Sequence, residues 1–343
     1  MISMKKSSSI NDFKACLGIG IDVSKAELVV VGLGTKGNCI KRLKNRPRAI
    51  KLFLRGLKRI GYSNKIICES TGHYHLKLVI ACHEVGLEII LLNPLQASKH
   101  SKSKVRKIKT DPEDALTLAT MCITEPKLPK PVELTASKAL LRLKIGQLAS
   151  LEKQLQKMNR SLNQYEETYA ELGLDSSAFQ ASLREHYQAL KQIQKQLAKE
   201  LELMFVSSMA DDEAFERLQD LPGYSSFMAG MVGQFDRQVK GADSWVAYVG
   251  LDVSVRESGT WKGRGKLTKR GNAYFRKRLF QSSWGATMNY DYIRAYYDEL
   301  KISGRGHKEA LCMISRKLLK IAYQVVVKQK EYDPKIAFPA YFS

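Results

Sequence analysis

The sequence predicts an α/β domain, then an α-helical coiled-coil hairpin, then a mainly α C-terminal domain. Three observations predict this. Short β-prone apolar runs alternate with helix-period segments between residues 16 and 125, leucines recur every seven residues over 141–162 and again over 183–197, and the last third mixes apolar helical stretches with Gly- and Arg-rich ones. The 343 residues suffice for about two domains with separate cores, and 44% apolar content is that of a globular chain. The expected boundaries are a flexible N-terminus at 1–15, an α/β domain at 16–130, the hairpin at 136–207 and the C-terminal domain at 208–343.

Apolar runs at 17–22, 28–33 and 39–43 stand close together and read as three consecutive strands. Pro47 opens a helix-period stretch through Leu52, Leu54, Leu57 and Ile60, proline being at home in a first turn. A strand at 66–69, a helix at 75–85, a strand at 87–92 stopped by Pro94 and a helix after Pro112 follow. The order βββαβαβα is that of a ribonuclease-H-like sheet, in which the first and fourth strands are neighbours.

Leu141, Leu148, Leu155 and Leu162 then repeat every seven residues, with Leu151, Met158 and Tyr165 in a companion seam. After a break at 173–177, Leu183, Leu190, Leu197 and Met204 repeat the spacing, supported by Tyr187, Ile193 and Leu201. Two heptad helices joined by a turn form a hairpin whose seams must bury against each other or a partner, and an arm for oligomerisation is expected. In the third segment, residues 221–224 (Leu-Pro-Gly-Tyr) precede a small-residue helix, like the turn of a helix-hairpin-helix whose backbone N–H groups meet phosphate. Residues 308–328 read as an amphipathic helix.

Lys and Arg number 56 against 34 Asp and Glu, a formal charge of +22, which is an electrostatic footprint for nucleic acid. The most apolar stretch, 76–92, is broken by His83, Glu84 and Glu88, so no membrane helix is expected. Met1 to Asp22 lacks a small-residue cleavage site and reads as a strand start rather than a signal peptide. The six cysteines have no C-x-x-C spacing and suit a reducing cytoplasm.

Four acids stand where a metal-dependent nuclease would need them. Asp22 and Glu69 end apolar strands, where a charge is costly unless used, and Asp111 and Asp114 lie three apart at a helix start and share one face. Carboxylates are the hard oxygen ligands that Mg²⁺ prefers, with Mn²⁺ as the alternative, and two such ions about 4 Å apart clamp a phosphodiester. Glu113, one residue off, would point away from the Asp111–Asp114 face. Taken singly, each acid is also what any strand end or helix start can carry. The basic run Lys99, Lys102, Lys104, Arg106, Lys107 and Lys109 directly precedes Asp111, which suits it to holding a phosphate backbone. A second cluster comprises Arg256, Lys262, Arg264, Lys266, Lys269, Arg270, Arg276, Lys277 and Arg278, opposed only by Glu257. Glycines 259, 263, 265 and 271 would let backbone approach a polyanion there, and Trp261 could stack on a base. Ser258 lies within this cluster; by spacing alone it is a turn residue, and no G-x-S-x-G elbow surrounds it. Cys68, His73, His75, Cys82 and His83 fit no zinc-finger spacing.

These residues carry a resemblance. Gly20-Ile21-Asp22-Val23-Ser24-Lys25, Glu69-Ser70-Thr71-Gly72, Asn93-Pro94, Lys109-Thr110-Asp111-Pro112-Glu113-Asp114-Ala115, Leu221-Pro222-Gly223, Val249-Gly250-Leu251 leading to Glu257-Ser258-Gly259, and Lys269-Arg270-Gly271-Asn272 occur in one order and spacing. In them the chain resembles the transposases of insertion sequence one-ten type, relatives of the Piv DNA invertases, over residues 17 to 328. The resemblance implies a RuvC-like domain with a D-E-D-D metal site (Asp22, Glu69, Asp111, Asp114), a coiled-coil arm, and a C-terminal transposase domain with an essential serine, Ser258. It also implies donor and target double-stranded DNA as substrates, a noncoding guide (bridge) RNA as partner, a homodimer or homotetramer with a composite site, and work in a prokaryotic cytoplasm. One departure is Ser225, where the family's turn commonly carries a second glycine. Two rival readings remain. A hydrolytic nuclease of Holliday-junction-resolvase type would need the acids but no serine, and a non-catalytic nucleic-acid-binding protein would need neither.

Overall fold

The computed structural model describes residues 8–35, 37–70, 72–92, 110–175, 177–235, 237–254, 257–258, 261–262 and 265–342. The chain divides into two compact units, Met1–Leu143 and Lys144–Ser343. Among the described residues no helix is long and apolar enough to cross a membrane.

In the first unit, β1 (Cys16–Val23), β2 (Glu27–Gly34), β3 (Gly37–Lys44), β4 (Ile66–Glu69) and β5 (Ile89–Leu92) form one sheet in the order β3-β2-β1-β4-β5. The first three pair antiparallel, and β4 and β5 join parallel to β1. This is the ribonuclease-H-like arrangement expected, and each strand bound lies within two residues of its apolar run. The two-residue period of a strand sends alternate side chains to opposite faces. Ile19, Ile21, Val23, Ile66 and Cys68 face one core with α1 (Pro47–Arg59) and α2 (Leu76–Val85). Ile67, Ile90 and Leu92 face the other with Leu118, Met121 and Cys122 of α3 (Asp111–Thr124).

Two expectations are corrected here. Residues 8–15 are not a loose tail: Ser8 N–H donates to Ile40 O (2.8 Å), and Phe13, in a 3₁₀ turn over Ile10–Ala15, is fully buried edge-on to Phe53. Residues 1–7 lie outside the described residues. Leu52, read as part of the helix-period stretch, is 70% exposed, because the buried stripe runs through Ile50, Phe53, Leu54 and Leu57.

The boundary between the units falls inside α4 (Ala136–Leu172), which is followed by α5 (Ser177–Ser208). These helices match the two heptad segments and run antiparallel. Lys144 meets Glu200 (2.6 Å), Gln194 donates to Glu152 (3.5 Å), and Arg184 donates to Glu166, Asn159 and Asn163. Leu148, Leu155 and Leu162 of α4 are buried, whereas Leu190 and Ile193 of α5 are exposed. Short helices α6 (Glu213–Gln219), α7 (Ser226–Gly233) and α8 (Ala242–Val249) lead to a pair of two-residue ladders, and α9 (Ala273–Asn289), α10 (Asp291–Ile302) and α11 (His307–Lys328) close the unit. Phe205 of α5 fits against α7 at Gly230, where a Cβ would come within 2.2 Å of its ring.

Candidate metal centre and nucleic-acid interface

Asp22 owes its setting to two glycines. Gly18, Gly20 and Asp22 are alternate residues of β1 and share its α3 face. A Cβ at Gly20 would lie 2.0 Å from Ala115 O, and one at Gly18 would lie 2.3 Å from Cys122 Cβ, so only glycine lets α3 close on the strand. That approach carries the first turn of α3, with Asp111 and Asp114, to the Asp22 end of β1. β4 pairs with β1, and Glu69 shares the α3-facing side with Ile67.

The electrostatics record the gathering. The Asp22 carboxyl is raised to about 6, first by burial, then by the negative charges of Asp111, Asp114 and Glu69, against a lowering hydrogen bond from the Val23 backbone. The helix N-terminus offsets part of this repulsion at Asp111 and Asp114. Glu113 is half-buried in the same turn. All four groups are oxygen donors of the class a hard divalent cation takes, and added positive charge would relieve the repulsion that lifts Asp22. Among the described residues no three His, Cys, Asp or Glu side chains already stand close enough to hold an ion, so the carboxylates would have to draw in on binding.

The loops that follow the two acid-bearing strands are tied together. Asn45, 3% exposed, donates through Nδ2 to Ser24 O (2.7 Å) and Tyr74 O (3.3 Å), and Lys77 Nζ donates to Asn45 O (3.0 Å). Periodicity and charge carry no signal for this residue, since an asparagine between a strand and a helix reads as a turn. Cys68 and Cys82 are core residues, His73 is exposed with its ring tilted against Tyr74 (4.6 Å between centroids), and no zinc cluster forms among the described residues.

Of the basic residues, Lys99, Lys102, Lys104, Arg106, Lys107, Lys109, Arg256 and Arg264 lie outside the described residues. Ser258 is on β7 (Glu257–Ser258), which pairs antiparallel with β8 (Trp261–Lys262), Ser258 opposite Trp261. Outside this pair, β6 (Val253–Ser254) pairs with β9 (Lys266–Leu267). The base of that ladder is clasped. Thr268 donates through its backbone to Asp252 O (2.9 Å) and through its hydroxyl to the Asp252 carboxylate, Lys269 N–H donates to Gly250 O (3.2 Å), and Lys269 takes a left-handed φ of 52°.

Lys266, Lys269, Arg270 and Lys277 are exposed. Three of the basic residues serve the protein's own structure. Arg276 donates to Val249 O (2.8 Å), Lys277 pairs with Glu152 (2.7 Å), and Arg278 pairs with Glu152 and Tyr274 while lying over the Phe227 ring. Glu152 is 10% exposed, so this network fastens α9 to α4, with Arg278 partly enclosed and Lys277 still exposed. At the expected helix-hairpin-helix turn, Gly223 has φ 76° and accepts from Ser282 Oγ (2.7 Å), and Ser225 caps α7 by accepting from Met228 N–H (3.3 Å). Ser225 thus takes up one of the N–H groups at the start of α7 that a phosphate could otherwise meet.

Two family profiles match the chain. The DEDD transposase profile of IS110 type matches residues 19–169, and the profile described as "Transposase IS116/IS110/IS902 family" matches residues 205–298. Among solved structures, the chain is similar to T. thermophilus RuvC in complex with a Holliday junction substrate, at 13% identity over 34% of this chain and 98% of that one, with a TM-score of 0.26. No curated protein matches.

Proposed function

Because this chain belongs to the IS110-type transposases, enzymes that cut and join DNA, we propose that it recombines donor and target DNA using Asp22, Glu69, Asp111 and Asp114 as metal ligands and Ser258 as nucleophile. The observation that carries the reading is the Asp22 carboxyl, lifted to about 6 among three other carboxylates at the ends of β1, β4 and α3. Burial and the charges of three other acids both raise Asp22, and a cation among them would relieve both.

The chemistry a bound Mg²⁺, or Mn²⁺ in its place, supplies is positive charge beside the phosphate oxygens. Asp22 and Glu69 on strands and the Asp111–Asp114 pair on a helix end provide ligands from rigid elements. Ser258 Oγ attacks phosphorus, gives up its proton, and displaces a 3′-oxygen that leaves protonated as a 3′-hydroxyl. The 5′ side stays as a phosphoserine ester. Attack by another 3′-hydroxyl reverses the step and reseals the strand without external energy. A noncoding guide RNA would supply sequence choice by base pairing while the protein reads backbone, which suits a basic chain. The exposed apolar positions of α5, Leu190 and Ile193, suit a second copy of the hairpin, giving a homodimer or homotetramer.

The test is a denaturing gel of protein with its flanking RNA, labelled donor and target DNA and Mg²⁺. A labelled protein–DNA adduct in the wild type and none in Ser258→Ala is the expected result. Cleaved DNA without adduct in either would replace this reading by a hydrolytic nuclease.

A further inference from the structure

We propose that the outer face of α1 docks the phosphate backbone of duplex DNA, in an arm of the substrate that passes the carboxylate end of the sheet. Residues 46–59 hold six basic side chains and no acid. The structure sorts them by type. Both lysines are occupied: Lys51 pairs with Glu84 (2.6 Å), and Lys58 donates to Val85 O (2.5 Å). The arginines at 46, 48, 55 and 59 are all exposed, and none forms an ion pair among the described residues. Guanidinium groups are the side chains that match phosphate oxygens two at a time.

Arg48, Arg55 and Arg59 follow one another at helical spacing along a single stripe, and Leu52, 70% exposed, sits within it. At 1.5 Å per residue the stripe from Arg48 to Arg59 is about 16 Å long, enough to meet on the order of three phosphates. An apolar side chain among arginines can lie against sugar or a groove wall.

The stripe also has a fixed origin. The turn before α1 is bonded to the segment just beyond Asp22, through Asn45 N–H to Ala26 O (2.8 Å) and Asn45 Nδ2 to Ser24 O (2.7 Å). Because α1 and α3 cover opposite faces of the sheet, α1 does not grip the phosphate under attack. It starts at the same sheet end and leads away from it, which selects DNA continuous with the reacting strand.

This inference rests on the DNA-cutting reading, and the experiment separates the two. The full chain is titrated with a fluorescent random-sequence duplex DNA, without divalent metal, from 50 to 200 mM salt. Compared are wild type, Arg48→Gln/Arg55→Gln/Arg59→Gln, and a charge-matched control on α5, Lys191→Gln/Lys195→Gln/Lys199→Gln, with melting curves for each. Loss of three phosphate contacts lowers the slope of log K against log salt by about 2.7, so the arginine variant loses about 40-fold less affinity across that range than wild type. The control keeps the wild-type slope. Equal slopes in wild type and arginine variant, or equal changes in both variants, overturn the docking surface while leaving the DNA-cutting reading intact. A slope change on duplex RNA alone overturns DNA as the occupant. Wild type that binds no duplex DNA overturns the functional reading itself.

Discussion

At Asp22, the proposed metal-ligand role and stability pull in opposite directions. Its carboxyl is raised to about 6 from an ordinary value near 4, so ionisation costs the folded state something it does not cost the unfolded chain. Below the unfolded value both states are protonated and no cost is felt. The cost grows as pH rises through the window from about 4 to 6 and is complete above it. Metal-free Asp22→Asn should therefore be more stable than wild type at pH 8, by about 1 kcal/mol after discounting for the solvent that reaches this half-exposed group, and nearly equal to it at pH 4. Thermal melts at the two pH values check this. The same variant should lose at least 10³-fold in DNA cleavage with Mg²⁺, measured on the gel already described. The candidate acids stand out in the sequence because charges at the ends of apolar strands do so. Asn45 does not, since its value lies in two carbonyls distant in sequence, nor does Glu152, whose role depends on Arg278 meeting it from 126 residues away.

Among the elements, β1 and α3 depend on how close they can come. Gly20→Ala places a methyl group 2.0 Å from Ala115 O, a backbone atom that cannot turn aside. Forcing the helix away should cost about 2–3 kcal/mol and weaken Mn²⁺ binding, read by denaturant melts and by calorimetric titration. Gly146, exposed within α4 with nothing within 4 Å of its missing Cβ, is the opposite case. Gly146→Ala should stabilise by about 0.5–1 kcal/mol through helix propensity alone. Leu190→Asp/Ile193→Asp on the exposed side of α5 should leave the melting curve near wild type and shift sedimentation toward monomer. Element identity was the most legible layer, because periods of two and seven survive in a single sequence. Which face of α1 turned inward was less so. Leu52 belongs to the apolar stretch but lies two and five residues from Leu54 and Leu57, off their stripe, and it is 70% exposed.

The whole molecule carries its two units on separate cores, so calorimetry should resolve two unfolding transitions rather than one. Mn²⁺ should raise only the transition belonging to residues 1–143, by mass action on the folded form, and chelation should return it. Gly20→Ala should lower that transition and not the other. A single merged transition unaffected by Mn²⁺ would speak against both the division and the site. Composition changes near residue 136, and the boundary between the units falls a few residues later, inside one continuous helix.

The cysteines have a practical consequence. Five of the six are buried and Cys312 is half-buried, and burial raises Cys16 and Cys82 to about 12 and Cys122 to about 11. Alkylating reagents attack thiolates, and the native chain offers them little at neutral pH. A Ser258→Cys chain can therefore be titrated with a maleimide dye without first stripping out the natural thiols. Its labelling rate, followed with and without DNA, turns the proposed nucleophile position into an optical gauge of how the protein closes on its substrate.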